Sequence, residues 1–229
     1  MISESLRMDI EVWMSKKESN PVYQLARDGR MTHEMVTRYI ASVTFMVTRA
    51  PGHIARARDR ARQLGDHALA AHFDHKLEEE IGHAVWGEAD LATLTESAPV
   101  LASATPTPSI EALDLYLAAI IEEDPALYFA YLAFSEYVTV VLGPELLAMI
   151  DERCGIPKSS MTVIANHVEI DREHAEEGFA VINDLVGDPR KLRPLQTALS
   201  RVLGYFDGFC HEIAQIGAAD GSERHVFAA

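Results

Sequence analysis

Two short stretches of the chain place acids and histidines where they could hold metal ions. In "NHVEIDREH", His167, Asp171 and His174 fall at i, i+4 and i+7, which on an α-helix stacks all three side chains along one face. In "EEEIGHAVWGEADL", Glu80 and His83 form Glu-x-x-His, one helical turn apart if the helix is continuous. Asp171-x-x-His174 repeats the arrangement with a shorter acid. Two acid-x-x-His pairs on separate helices are what a carboxylate-bridged pair of metal ions requires, each pair offering one hard oxygen and one imidazole. One pair alone would carry little weight in a chain with 35 acids and ten histidines. A single histidine on a helix is more often part of a solvated polar stripe.

Glu136 adds a third carboxylate. Its neighbours in "FAYLAFSEYVTVVL" are apolar on nearly every side, so no rotation of a helix there exposes the acid without also exposing Phe, Leu or Val. An isolated buried carboxylate takes up a proton or finds a cation. Alone, Glu136 is equally well read as a structural acid bonded to a tyrosine such as Tyr128; beside the two pairs, it is expected to be a bridging ligand. The set is then Glu80, His83, Glu136, His167, Asp171 and His174. It would hold two ions and leave positions open for dioxygen and a substrate. Oxygen and imidazole without thiolate favour iron or manganese over structural zinc. The expected cofactors are two ferrous ions, manganese being the alternative, with dioxygen as co-substrate.

These groups need a scaffold of helices. Turn signals divide the periodic pattern into segments near 2–17, 20–28, 32–48, 50–64, 66–95, 109–122, 124–153, 158–186 and 192–218. Pro and Ser content makes 96–109 a loop, with Ser109 the expected N-cap of the next helix. Gly143-Pro144 should bend or interrupt its helix, and "GDPRKLRP" is another break. No strand alternation or internal repeat is present in the pattern. The expectation is an all-α, single-domain bundle of about seven to nine helices over residues 1–219, with a flexible tail at 220–229.

Composition narrows the function classes. A net charge of −15 argues against a nucleic-acid partner, which would need clustered lysine and arginine. The run "ALYFAYLAFSEYVTVVL" carries Glu136 and reads as a core helix, so no membrane partner is expected. The N-terminus lacks the order of a signal peptide, and two cysteines, Cys154 and Cys210, are too few for a disulfide framework; a cytoplasmic protein is expected. Amphipathic N-terminal helices are expected to support a homodimer.

With this pattern the chain resembles the heme-oxygenase-like di-iron oxidases and oxygenases, a group that includes a 1-alkene-forming fatty-acid decarboxylase and the chlamydial p-aminobenzoate synthase. They share a helical fold with thiaminase-like and pyrroloquinoline-quinone-synthase-like proteins. The family pattern is a Glu and a His on one core helix, a lone Glu on a later one, then His-x3-Asp/Glu-x2-His, and the last motif stands intact here as His167, Asp171 and His174. Some members carry the first carboxylate seven residues before the histidine, where this chain has Lys76; others use Glu-x-x-His, as Glu80 and His83 do. Glu79 lies on nearly the same face and is a substitute for Glu80.

The resemblance implies oxidation of a small carboxylate, an amino acid or fatty acid, by C–C or C–N cleavage, desaturation or N-oxygenation, with an electron donor as a further partner. Trp86, Tyr131, Tyr39 and Arg49 are candidates for the substrate pocket. A heme oxygenase would need an axial histidine in its first helix, yet the first 32 residues contain none. A thiaminase would need a nucleophilic cysteine in its pocket, whereas Cys154 and Cys210 read as inert structural residues. The alternatives are a ferritin-like iron-binding bundle and a metal-free small-molecule protein of the thiaminase-like or quinone-synthase-like kind.

Overall fold

Local signals start most of the helices. Asn20 accepts hydrogen bonds from the N–H groups of Val22 and Tyr23, with Pro21 at the first helical position, and so opens a short helix, Pro21–Arg27. Thr32 accepts from the Met35 N–H at the start of His33–Gln63, and Asp66 from the Leu69 N–H at the start of His67–Glu80. The computed structural model describes residues 1–96, 98, 101 and 103–216. Its helices are α1 (Ile2–Met14), α2 (Pro21–Arg27), α3 (His33–Gln63), α4 (His67–Glu80), α5 (Ala84–Glu96), α6 (Pro108–Glu123), α7 (Phe129–Cys154), α8 (Thr162–Leu185) and α9 (Leu192–Gln215). Every regular element among the described residues is helical, as the sequence pattern predicts. The expected tail at 220–229 lies outside the described residues.

Three boundaries differ from expectation, and the Gly143-Pro144 step, read as a bend or an interruption, does not interrupt its helix. The segments 32–48 and 50–64 are one helix, α3, which runs through Pro51. Pro51 removes one N–H donor, but Ile54 and Ala57 just beyond it are fully buried, and that packing outweighs the lost bond. α7 likewise continues through Pro144. The segment 66–95 does the reverse and divides into α4 and α5. At α6 the N-cap is Thr107, because Pro108 fits the first helical position; the Ser109 N–H and hydroxyl instead donate to the Glu212 carboxylate of α9, at 3.1 and 2.8 Å.

The core is built on α7, which packs most extensively on α8 and also on α9, α2 and α1. α3 covers the other side against α4, α5 and α6. The stretch Pro125–Cys154 is long and apolar enough to cross a membrane, yet 61% of its most apolar window is buried inside the bundle. α1 buries Leu6 and Ile10, and it is tied to α8 by Arg7, whose guanidinium donates twice to Glu176 at 3.0 and 2.7 Å and lies 4.4 Å from the Phe179 ring.

Candidate metal centre

The divided helix shapes the first half of the site. Glu80 is the last residue of α4, Ile81 is extended, and Gly82 takes φ +98°, a conformation side chains oppose. His83 therefore lies in the turn before α5 and not on a continuous helical face with Glu80. The turn still brings them together, His83 Nδ1 standing 3.4 Å from Glu80 Oε2. Gly87 lets α5 settle against α3, since a Cβ there would meet Thr44 Oγ1 at 2.1 Å. Trp86 stacks on the His83 ring (4.5 Å between centroids, 19°) and meets His167 edge-on (5.5 Å, 82°). It does not line the main cavity expected for it; it braces the two imidazoles.

α8 supplies His167 from its second turn. His167 Nδ1 lies 2.6 Å from the Val163 carbonyl oxygen, a contact that assigns the proton to Nδ1 and leaves Nε2 as the free ligand atom. Val163 is itself fixed by Asp90 of α5. One Asp90 oxygen accepts from the Val163 N–H at 2.7 Å and the other from the Thr162 hydroxyl at 2.7 Å, which satisfies an open donor at the start of α8. Asp90 was not marked by any motif, because its partners are distant in sequence. One ligand atom from each of Glu80, His83 and His167 lies within 4.8 Å of the others. That is a set of two imidazoles and one carboxylate, fit for one ion.

Among the described residues that set is the one such group; of the other three expected ligands, Glu136 pairs with a lysine not counted among them and Asp171 pairs with His174. Lys76, buried with its side chain 7% exposed, holds Nζ 2.7 Å from Glu136 Oε1, 3.1 Å from Glu79 Oε2 and 3.9 Å from Glu80 Oε1. Asp171 Oδ1 stands 3.5 Å from His174 Nδ1, and His174 Nε2 stands 3.6 Å from Glu79 Oε1. Glu79 thus faces this second set while Glu80 faces the first. Three of the six thus converge on one point, while Glu136 lies against the lysine and Asp171 with His174 forms a separate pair reached through Glu79. The lysine's sequence signal was its position, seven residues before His83.

These groups are poorly satisfied by the protein. His83 Nδ1, Asp171 Oδ1, His174 Nδ1 and Glu136 Oε1 are buried without a hydrogen bond, Glu136 having only the ion contact to Lys76. Such atoms are costly singly, and the three on His83, Asp171 and His174 suit a centre whose missing partner is a cation. Tyr128, the alternative partner for Glu136, leaves its own hydroxyl unbonded. Burial pushes the Glu136 carboxyl up to about 7 despite Lys76, with Asp171 and Glu80 adding to the rise. Burial opposes the charge on Lys76, but Glu136, Glu80 and Glu79 outweigh it and raise its pKa. Burial also works against the Glu80 charge; the nearby His83 ring, together with Lys76, overcomes this and lowers the Glu80 pKa. Asp171 raises that of His174.

Beside the centre lies a largely apolar cavity of ≈ 380 Å³, into whose wall Glu80, Glu136, His167 and Asp171 are set. Tyr39 and Tyr131 line it, as expected. Arg49 does not; its side chain is 55% exposed, 3.5 Å from Asp114, with the guanidinium over Phe45. Cys210 does line the cavity, but burial pushes its thiol up to about 12, far from a reactive thiolate. A second cavity of ≈ 90 Å³ adjoins Lys76, Glu136 and His174 on another side.

Among solved structures, a domain of unknown function from Shewanella denitrificans OS217, described as having a heme oxygenase-like fold, superposes with a TM-score of 0.81, at 19% identity over 99% of this chain and 96% of that one. The chain has a heme-oxygenase-like fold. A TenA homolog from Pseudomonas syringae pv. tomato DC3000 matches with a TM-score of 0.68 at 18% identity, covering 92% of this chain and 93% of its own. A CADD-like protein of unknown function from Nostoc punctiforme PCC 73102 matches at 0.67 and 16%, covering 93% and 97%. No family model and no curated protein matches the sequence. At these identities the likeness is one of fold.

Proposed function

We propose that the protein is a non-heme iron oxidase or oxygenase that acts on a small carboxylate substrate, an amino acid or fatty acid. The observation that carries the reading is the convergence of Glu80, His83 and His167. Two histidines and one carboxylate are the donor set of non-heme ferrous oxygenases, because three ligands fix the ion and leave positions open. Glu136, Asp171 and His174 would hold a second ion, and manganese would suit either set. Iron bound there would supply dioxygen activation.

The chain's own residues do the rest. Asp90 and Val163 hold the His167 ring in the tautomer that presents Nε2. Trp86 limits rotation of both first-set imidazoles. The apolar cavity excludes water and receives a hydrocarbon or amino-acid side chain beside the centre, with Tyr39 and Tyr131 in its wall. One observation favours a metal-free small-molecule protein on this fold: Lys76 already gives Glu136 a cation.

Anaerobic reconstitution with ferrous iron separates the readings, followed by metal analysis and stopped-flow absorbance on mixing with dioxygen, for the wild type and His167→Ala. Iron uptake and a transient visible band, both lost in the variant, are the expected result. No uptake by the wild type would leave the metal-free reading.

A further inference from the structure

A buried lysine is rare, and Lys76 is buried at the junction of the two ligand sets. Its Nζ contacts Glu80, which belongs to the first set, and Glu136, which belongs to the second, with Glu79 as a third carboxylate neighbour. An ammonium is a compact, hard cation that draws the same oxygens as a metal ion. Asp171 Oδ1 is unbonded and Glu136 Oε1 has the ammonium as its one partner, and both side chains are more than nine-tenths buried.

We propose that the Lys76 ammonium is the resident cation of the second position. The protein then binds one divalent ion tightly at Glu80, His83 and His167, and admits a second at Glu136, Asp171 and His174 only when the ammonium is displaced. This rests on the reading of the site as a metal centre. Formal charge supports the exclusion. Glu79, Glu80, Glu136 and Asp171 carry four negative charges when ionised; the ammonium with one dication leaves a single negative charge, the ammonium with two dications reverses the sign in a partly dehydrated space, and two dications balance the four acids only once the ammonium has left. Displacement also has a route. The ≈ 90 Å³ cavity beside Lys76 is lined by Glu79 and Glu177, which can receive the ammonium at the end of its flexible four-carbon stem. Binding of the second ion is therefore linked to a movement of one side chain of α4.

The test is an anaerobic titration of the metal-free protein with Fe2+, and separately with Mn2+, by calorimetry, with elemental analysis after desalting. One ion per chain is expected for the wild type and for Lys76→Arg, which keeps the charge. Two ions, or a second ion bound at least about tenfold more tightly than by the wild type, are expected for Lys76→Met. Lys76→Gln serves the same purpose, keeping a donor toward Glu136 if the methionine variant does not fold. Two ions of similar affinity in the wild type would overturn the proposal whatever the variants do, and so would neutral variants that still bind one. Failure of every protein to bind any ion would overturn the metal reading itself, a result distinct from both.

Discussion

The molecule buries histidine beside carboxylate in two different ways. Between α3 and α6, His53 and Asp114 close a hydrogen bond of 2.7 Å, with side chains 6% and 11% exposed. Burial lowers the His53 pKa in spite of Asp114, so the pair joins a neutral ring to a carboxylate and fastens two helices. In the candidate centre, Glu80 with His83 and Asp171 with His174 stop at 3.4 and 3.5 Å, short of a closed hydrogen bond. The residue types are the same. What distinguishes a fastening from a binding site is whether the protein completes the contact.

That contrast can be broken from either side. The largest effect is expected from His167→Ala, which should weaken ferrous binding on the order of a thousandfold, about 4 kcal/mol, with little change in the stability of the metal-free protein; calorimetric titration and urea unfolding read the two quantities. His53→Ala should do the opposite, costing about 3 kcal/mol in urea unfolding through the cavity and an Asp114 left with only its exposed Arg49 contact, while ion affinity stays within about twofold. A shared loss of binding and stability in both variants would erase the distinction. Asp90→Asn, which turns an amide donor toward the Val163 N–H or the Thr162 hydroxyl, should weaken binding about tenfold by loosening His167.

The smallest effect concerns pH. Burial, aided by Lys76, pushes the His72 pKa down to about 4, from an unfolded value near ~6.5. The unfolded chain binds the extra proton first, so the contribution of neutral His72 is complete above the unfolded value and is lost as pH falls through about 4. Allowing for its partial exposure, His72→Phe should recover roughly 1 kcal/mol at pH 4.5 relative to pH 7.5. An unchanged pH profile of unfolding would show that His72 takes no part. Its ring already packs 5.3 Å from that of Phe129, which suits the replacement.

Periodicity made the helices legible, and acid and histidine spacing pointed to Glu80, His83 and His167, the three of the six candidate ligands that converge. The sequence could not reveal how packing would overrule local signals. Pro51 reads as a break but is carried through by the buried residues after it, whereas Gly82 sits in an apparently continuous pattern and ends it. Lys76 was visible as a departure in one position, but only the fold shows the ammonium among three carboxylates. Arg49 failed as a pocket residue because its place on α3 turns it outward, a helix phase that its own neighbours do not fix. Asp90 and His53 act through partners far away in the chain, beyond the reach of any local motif.

The turn at Ile81–His83 has a consequence for proteolysis. Ile81 is 64% exposed, and ring packing through Trp86 is what ties the flanking His83 to His167 of α8. An ion there would stitch this turn to α8 and close a long loop of chain, so ion loading should slow cleavage by a protease of broad specificity at the α4–α5 junction more than elsewhere. The candidate centre would then act as a latch on its own joint.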